Sequence, residues 1–346
     1  MLLGYKAGEV HSTGGYNIVI GASAMSDTNA GNDSLASEGN IFIGNNAGDG
    51  TWADSQTDNV VCIGSSAMGG ALDNVDGTVA IGKSALSALT DGAANLAIGY
   101  QSSLLLTTGH NNTTIGYQSA DAMMSGSAYN TVVGSQAFGG SHGTSATDFC
   151  VAIGYLALGG ALVNNDGTIA IGSSALAALT TGTENIAIGY QALQDNQTGG
   201  DNTMIGYKAG LDANDAGFNA NVGVGNYVFD GVASGVDAES NTAIGIYAMS
   251  GVLTDTAHNN TAVGRAALGA LTSADSNVAV GKSAGEALAD GSNNVLVGLG
   301  SGDALTSSGN NVAVGTNSLG AATTAADQNV AIGTSAMGGA WSTADV

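Results

Sequence analysis

Residues 185–193 read NIAIGYQAL, and near copies run along the chain: NLAIGYQSS at 95–103, NTTIGYQSA at 112–120, NTAIGIYAM at 241–249 and NVAIGTSAM at 329–337. Self-similarity at a regular period is read before any other signal, because it marks a chain built from one unit stacked on itself. With the Gly of the phrase as position 0, it falls at 4, 21, 44, 64, 82, 99, 116, 134, 154, 172, 189, 206, 225, 245, 264, 281, 298, 315 and 333. These nineteen units are most often 17 residues apart and at most 23. A longer period lies on top: IGSSAMGGALDNVDGTVAIGKSALSAL (63–89) matches IGYLALGGALVNNDGTIAIGSSALAAL (153–179), 90 residues on, and a weaker copy starts at Ile244. The chain reads as one continuous array over 1–346, with super-repeats at about 63–152, 153–243 and 244–331. MLLGYKAG at 1–8 aligns with TMIGYKAG at 203–210, and the last residues follow a GGAW equivalent to two GGAL segments. The expectation is a window from a longer array, cut within a repeat at both ends.

The strand of each unit precedes the Gly. Position -1 is Ile or Val in every unit but the first, which has Leu3; position -3 is Ile, Val, Leu or Thr in every unit but the first, which has Met1. These two share a face in a period-2 strand, and position -2 points the other way. Position -2 runs Leu2, Val19, Phe42, Cys62, Ala80, Ala97, Thr114 and on through Ala187, and never carries a charge. A strand apolar on both faces is buried on both. One face lines the coil; the other needs a cover that only further copies of the chain supply. The abundance of Ala at -2 points that face toward a shared axis, with a homotrimer expected. The Gly supplies a tight corner. Position +3 is usually Ala or Ser and +4 often Leu, Met or Phe, which reads as a second short strand. Asn occupies -4 in fourteen units, where it suits turns and can stack into a ladder. The residues carrying this structural pattern include Asn95, Ile98 and Gly99; Asn185, Ala187, Ile188 and Gly189; and Asn311, Val314 and Gly315.

The expected fold is therefore all-β: a parallel β-solenoid (β-roll) of about nineteen 17–23-residue coils, on the order of 90 Å long at ~4.8 Å per coil. Composition agrees. Gly is 56 of 346 without the period of collagen, Pro is absent, and 44% of residues are hydrophobic, too many for a disordered chain. With 28 acids against 5 bases the net charge is -23, which makes nucleic acid and anionic membranes poor partners. No apolar run is long enough to span a membrane, and no basic segment followed by an apolar one marks a signal peptide. All five bases (Lys6, Lys83, Lys208, Arg265, Lys282) follow a repeat Gly by one or two places, and all 28 acids lie in the connecting loops. Cys62 and Cys150 fall about five repeats apart, beyond disulfide reach, and read as small buried apolar residues.

No catalytic, cofactor or metal constellation stands out, and the chain is not expected to be an enzyme. His11, His110, His142 and His258 lack ligands at metal spacing and read as loop residues. DNVDG (73–77), NNDG (164–167) and DANDAG (212–217) place oxygens on turns, so calcium is weighed as a ligand, but these are also ordinary turn residues. Tyr100, Tyr117, Tyr155, Tyr190 and Tyr207 directly follow their repeat Gly and form a candidate surface ladder. Such a row either covers an edge or neighbouring chain, or binds sugar or protein surfaces. Thr has no fixed outward position, which weakens an ice-binding reading. A glycosidase on this scaffold would need clustered carboxylates, whereas the acids are scattered.

The phrase N-[VTI]-A-[IV]-G-x-x-[AS]-[LM], carried by Asn185, Ala187, Ile188, Gly189, Tyr190, Gln191, Ala192 and Leu193, resembles two related repeat groups. One is the head of trimeric autotransporter adhesins, left-handed parallel β-rolls with three chains side by side, whose units are shorter. The other, closer in length, is the NTAIGYQAL-type repeat of phage and viral tail fibres. The resemblance covers essentially the whole chain. It implies an extracellular structural fibre or adhesion shaft on a virion or cell surface, presenting surfaces to a host receptor or glycan. A bacterial adhesin head and a monomeric matrix or ice-binding solenoid are the alternatives.

Overall fold

Each repeat phrase forms one short strand, and each strand pairs in parallel with its counterpart in the next repeat. The computed structural model describes residues 1–11, 14–27, 36–52, 56–141, 146–213, 217–233, 235–254, 257–321 and 327–339. It divides into two units, Met1–Ile169 and Ala170–Val346, with the boundary inside the repeat strand Ile169–Ile171. In the first unit the register runs Ala80↔Ala97↔Thr114↔Val132↔Ala152. In the second it runs Ala187↔Met204↔Gly223↔Ala243↔Ala262. Each coil is thus one repeat, and both units are all-β parallel solenoids, with no α-helix among the described residues. The second unit adds two small parallel pairs, Phe218–Asn219 with Ala238–Glu239 and Gly231–Val232 with Val252–Leu253.

The repeat Gly is required by its neighbour in the next coil. Gly99 has φ +141°, and a Cβ built on it would lie 2.0 Å from the carbonyl oxygen of Gly116. No side chain fits, and the backbone conformation suits Gly alone. The chain then folds back through residues in the left-handed region at +2 and +4, such as Gln191 (φ 55°) and Leu193 (φ 49°). This turn brings +3 and +4 beneath the strand, where Ala192 and Leu193 are buried beside Ala187.

The Asn column at -4 is a buried ladder, as its recurrence predicts. Asn185 Oδ1 accepts from both the backbone N–H (3.1 Å) and the Nδ2 (3.2 Å) of Asn202. Asn202 Nδ2 also donates to the Phe218 carbonyl at 2.8 Å. Amide polarity is thereby satisfied inside the coil, where unpaired groups are expensive. The ladder is interrupted at Val60 and Thr78 and again, 90 residues on, at Cys150 and Thr168. Asn130 Oδ1 still accepts the Cys150 N–H at 2.9 Å, but Thr168 Oγ1 is left without a hydrogen bond. The super-repeat thus marks the irregular points of the ladder as well as the sequence.

The orientation of the strand reverses the expectation drawn from its Ala content. Position -2 lines the chain's own core: Val19, Phe42, Cys62, Ala80 and Ala187 are fully buried within the single chain. Positions -3 and -1 face outward, giving the repeated burial pattern of intermediate, buried, intermediate, as in Ile186–Ile188. Small residues at -2 reflect a thin coil with +4 directly beneath. In several coils the volumes of the two positions compensate. Where -2 is large (Leu2, Phe42, Met204, Leu296), +4 is Gly8, Gly48, Gly210 or Gly302, and a Cβ on Gly48 would come within 2.3 Å of the Phe42 ring. Where -2 is Gly223, the space is filled by Met204, Val228 and Phe229. Dense packing of this kind is what protein interiors require.

Candidate interaction surface

The outward face is a pair of columns in each unit, the -1 column apolar throughout and the -3 column Met, Ile, Val or Leu interrupted by Thr113 and Thr131 in the first unit and by Thr203, Thr242 and Thr261 in the second. In the first it includes Ile18 and Ile153, and in the second Ile205, Val222, Val224, Ile244, Val280, Val295 and Val314. Each is partly exposed, for example 37% for Ile153 and 40% for Ile244. Ile98, Ile188 and Val314, singled out by the sequence as strand residues, all lie on this face, whereas Ala187 lies behind it. Isolated exposed apolar residues are ordinary, but a contiguous apolar strip on a charged protein marks a contact surface.

The two edges of the strip differ in charge. Beyond the Gly, positions +1 and +2 carry every base. Lys6 pairs with Glu9 at 3.1 Å. Lys83, Lys208, Arg265 and Lys282 form no ion pair among the described residues. On the other edge, positions -6 and -5 carry a column of acids. Several of these carboxylates tie coils together: Asp58 Oδ1 accepts the Glu38 N–H, Asp76 Oδ1 the Asp58 N–H and Asp148 Oδ1 the Ala128 N–H, each at 2.7 Å. Asp275 Oδ1 likewise accepts the His258 N–H at 2.7 Å. A second acid column sits just past the turn, at +5 and +6. Burial raises the carboxyl pKa of Asp121 and Asp303 there. Burial also raises those of Asp212 and Asp230, aided by the acids at Asp195 and Asp212 and opposed by Lys208.

The tyrosines form rows on the base-bearing edge. Tyr100 stacks on Tyr117 and Tyr190 on Tyr207, both with centroids 5.3 Å apart. Tyr155 follows Ser135 in its column and so lacks a ring beneath it. The sequence reading missed the continuation of the second row: Tyr207 meets Tyr227 edge-on, and Tyr227 stacks on Tyr247. Those two sit at +2 rather than +1, so a search at fixed offset passes over them. It also missed an aromatic row at -5, where Tyr129 stacks on Phe149 and takes His110 against its edge. Stacked rings turn their faces to one another, leaving edges and hydroxyls outward. That geometry suits packing against a neighbouring surface better than stacking a sugar ring.

The remaining candidates have structural surroundings. Cys62 and Cys150 are free and buried, the first in the core column and the second in the Asn column. Burial pushes both thiols up, Cys150 to about 12. His11 is more enclosed than a loop residue: its Nε2 lies 2.9 Å from Asn17 Nδ2, and burial lowers its pKa. His258 lies between two acids, with Nε2 3.2 Å from Asp237 and Nδ1 4.0 Å from Asp275. His142 lies outside the described residues, as do positions 214–216 of DANDAG. In DNVDG, Asp76 serves the inter-coil hydrogen bond already described. Among the described residues no group of three or more His, Cys, Asp or Glu converges on a point, and no helix is long and apolar enough to cross a membrane. No protein-family model and no curated protein matches the chain.

Proposed function

We propose that the chain is a structural segment of an extracellular fibre, of the phage or viral tail-fibre type, that self-associates side by side and holds binding surfaces away from a virion or cell. The observation that carries this reading is the outward Ile/Val strip. A fully exposed Val or Ile offers on the order of 100 Å² of apolar side chain. At about a third exposure and two residues per coil, a unit presents roughly 600–700 Å² on this strip, near the ~800 Å² per partner of a stable interface. The stacked tyrosines beside it add to that area. A charge of -23 disfavours anionic partners, and another copy of the chain has the same pitch, so every coil meets an equivalent coil. Three chains, with the Ile/Val face inward, is the arrangement the repeat resemblance supports. A bacterial adhesin head is the same object with a different anchor.

A second reading is favoured by the same face. Flat columns of Ile, Val and Thr at the ~4.8 Å strand spacing could meet an ordered surface such as ice in a monomeric solenoid. Thr113, Thr131, Thr203, Thr242 and Thr261 do point outward, although they occupy only part of the -3 column. The native mass by light scattering decides between them, with Ile188→Asp measured beside the wild type. Three chains for the wild type and a folded single chain for the variant are expected. A folded wild-type monomer overturns the fibre reading and leaves the monomeric solenoid.

A further inference from the structure

Six of the ten tyrosines stand in stacked pairs, and the register of the coils is what pairs them. Ile98 pairs with Ile115, so Tyr100 and Tyr117, each two residues further on, meet in adjacent coils. Ile188 pairs with Ile205, which does the same for Tyr190 and Tyr207. Val224 pairs with Ile244, and Tyr227 and Tyr247 follow them by three residues each. In all three pairs the ring centroids lie 5.2–5.3 Å apart and the planes are within 15° of parallel. All six rings are partly exposed. The other four tyrosines stand outside these pairs. Tyr5 and Tyr16 are the most exposed of all, at 74% and 92%, but the residues opposite them in the next coil are Ala22 and Gly39. Tyr155 lies over Ser135, and Tyr129 lies between His110 and Phe149. Exposure and pairing are thus separated within one chain.

We propose that the stacked pairs are oxidative cross-linking sites, at which a peroxide-driven one-electron oxidant of the haem-peroxidase class joins Tyr100 to Tyr117, Tyr190 to Tyr207 and Tyr227 to Tyr247 as dityrosines that staple adjacent coils of one chain. Each phenol gives up one electron and its proton and becomes a phenoxyl radical with unpaired spin on its ortho carbons. Two radicals form a carbon–carbon bond between those carbons, and each ring moves its ortho hydrogen to oxygen to restore the phenol. Two tyrosines and one hydrogen peroxide give one dityrosine and two waters; the tyrosines are oxidised and the peroxide is reduced. The parallel ladder holds the partners at the ~4.8 Å strand spacing, so coupling is an intramolecular step with its orientation largely set beforehand. Tyr207 also meets Tyr227 edge-on, so an oxidised ring at either position has a phenol on both sides. The links close loops of 17, 17 and 20 residues (117 less 100, 207 less 190, 247 less 227). A covalent closure of this kind restricts the unfolded chain as a disulfide does. Both cysteines are free and buried, so disulfides do not fill that role here. The inference concerns one chain and holds whether or not copies associate.

The test treats the full chain, as a dilute mixture of light and heavy-nitrogen copies, with a peroxidase and hydrogen peroxide. Dityrosine fluorescence follows the reaction, and mass spectrometry of the digest locates the links. Cross-links at the three stacked pairs are expected, each within one isotope, at a rate that does not fall on dilution. Tyr117→Phe keeps a ring in the stack but has no phenol, so it should lose the link to Tyr100 and keep the one between Tyr190 and Tyr207. Tyr129→Phe, outside the pairs, should change nothing. The same treatment in urea, where the register is gone, should lower the yield of the three pairs at least tenfold. Oxidation that falls chiefly on Tyr5 and Tyr16, or links made chiefly between isotopes, would show that exposure and not register governs the chemistry, and would overturn the proposal. Equal yields of the three pairs in folded and unfolded chains would overturn it as well. Urea unfolding of the treated chain reads the staple itself: the midpoint should rise relative to the untreated chain, and an unchanged midpoint in a sample with all three links refutes that role.

Discussion

Replacing Gly99 by Ala tests whether the coils are held as closely as the structure implies. The new Cβ would sit 2.0 Å from the carbonyl oxygen and 2.6 Å from the carbonyl carbon of Gly116. Ordinary contact needs well over 3 Å, so the seam between these coils must open by about 1 Å, since packed backbone has no slack to absorb the clash. Two inter-coil hydrogen bonds bracket the site: Gly116 N–H to Ile98 O and Gln118 N–H to Tyr100 O, both 2.8 Å. Leaving buried backbone groups unmade costs about 1–3 kcal/mol each. The glycine-only backbone conformation adds about 1–3 kcal/mol. The expected loss is thus about 3–9 kcal/mol. Gly77 is the internal control. It also has positive φ, +66°, but a Cβ there meets nothing within 4 Å. Ala at that position should cost only the ~1–2 kcal/mol of a left-handed residue. Urea unfolding of both variants, followed by circular dichroism, gives the comparison. In a solenoid each coil is stabilised by its neighbours, so Gly99→Ala is also expected to split the transition in two. Equal losses for the two variants would refute the argument that close approach of the coils, rather than φ alone, dictates the repeat Gly.

Ala187→Asp places an unpaired carboxylate in the core, with an expected loss of about 3–5 kcal/mol and increased proteolysis at any concentration; a concentration-dependent defect would return Ala187 to an interface. Asn202→Ala removes the acceptor of the Asn221 N–H and the donor to Phe218 O. Denaturant titration should show a loss of about 2–6 kcal/mol, at 1–3 kcal/mol per orphaned group. Asp121 has a pKa raised by burial, so the folded state holds its proton to higher pH than the unfolded chain. That contribution to stability is present below the ordinary carboxyl pKa of ~3.9 and is lost as pH rises through the folded value. Asp121→Asn should accordingly raise the melting temperature at pH 7 and leave it unchanged at pH 3. Cys150, with its thiol pushed up to about 12 and its side chain buried, should ignore a thiol reagent at pH 8 until denaturant is added. Prompt native labelling would contradict its placement in the Asn column.

Period, strand position and ladder were legible because each is a backbone property repeated at fixed spacing. The Gly column has one steric cause, the Asn column one hydrogen-bonding cause, and both recur whatever the loops contain. The direction of the strand was not legible from hydrophobicity, because both faces are apolar and a period-2 pattern of two apolar faces has no sign. Ala at -2 suggested close approach of separate chains, whereas it reflects the thinness of a single coil. The discriminating signal lay between positions. Phe42 with Gly48, Met204 with Gly210, Leu296 with Gly302 and Gly223 with Phe229 exchange volume across the coil, which only residues packed against each other need do. The aromatic rows were half legible for a related reason: Tyr227 and Tyr247 reach the same row from +2, because the turn brings +1 and +2 side by side on the same edge.

The repeats also act as replicate trials of each position, and that bears on what the outward face is for. Position +1 has been filled by Tyr, Lys, Asn, Ile, Arg, Leu, Ser, Thr and Ala, so polar residues are tolerated immediately beside the strip. Loop lengths vary from coil to coil, and all 28 acids have accumulated in the loops. Position -1 has taken only Ile, Val or Leu in nineteen trials. If that side chain merely faced water, β propensity alone would admit Thr or Tyr there as readily as Val. Thr does enter at -3, two residues away on the same face, so the backbone accepts it. The constraint therefore belongs to the environment of the -1 column and not to the strand. A column that is never polar yet half-exposed in one copy is what the proposed self-association would require, and it is the constraint that Ile188→Asp tests.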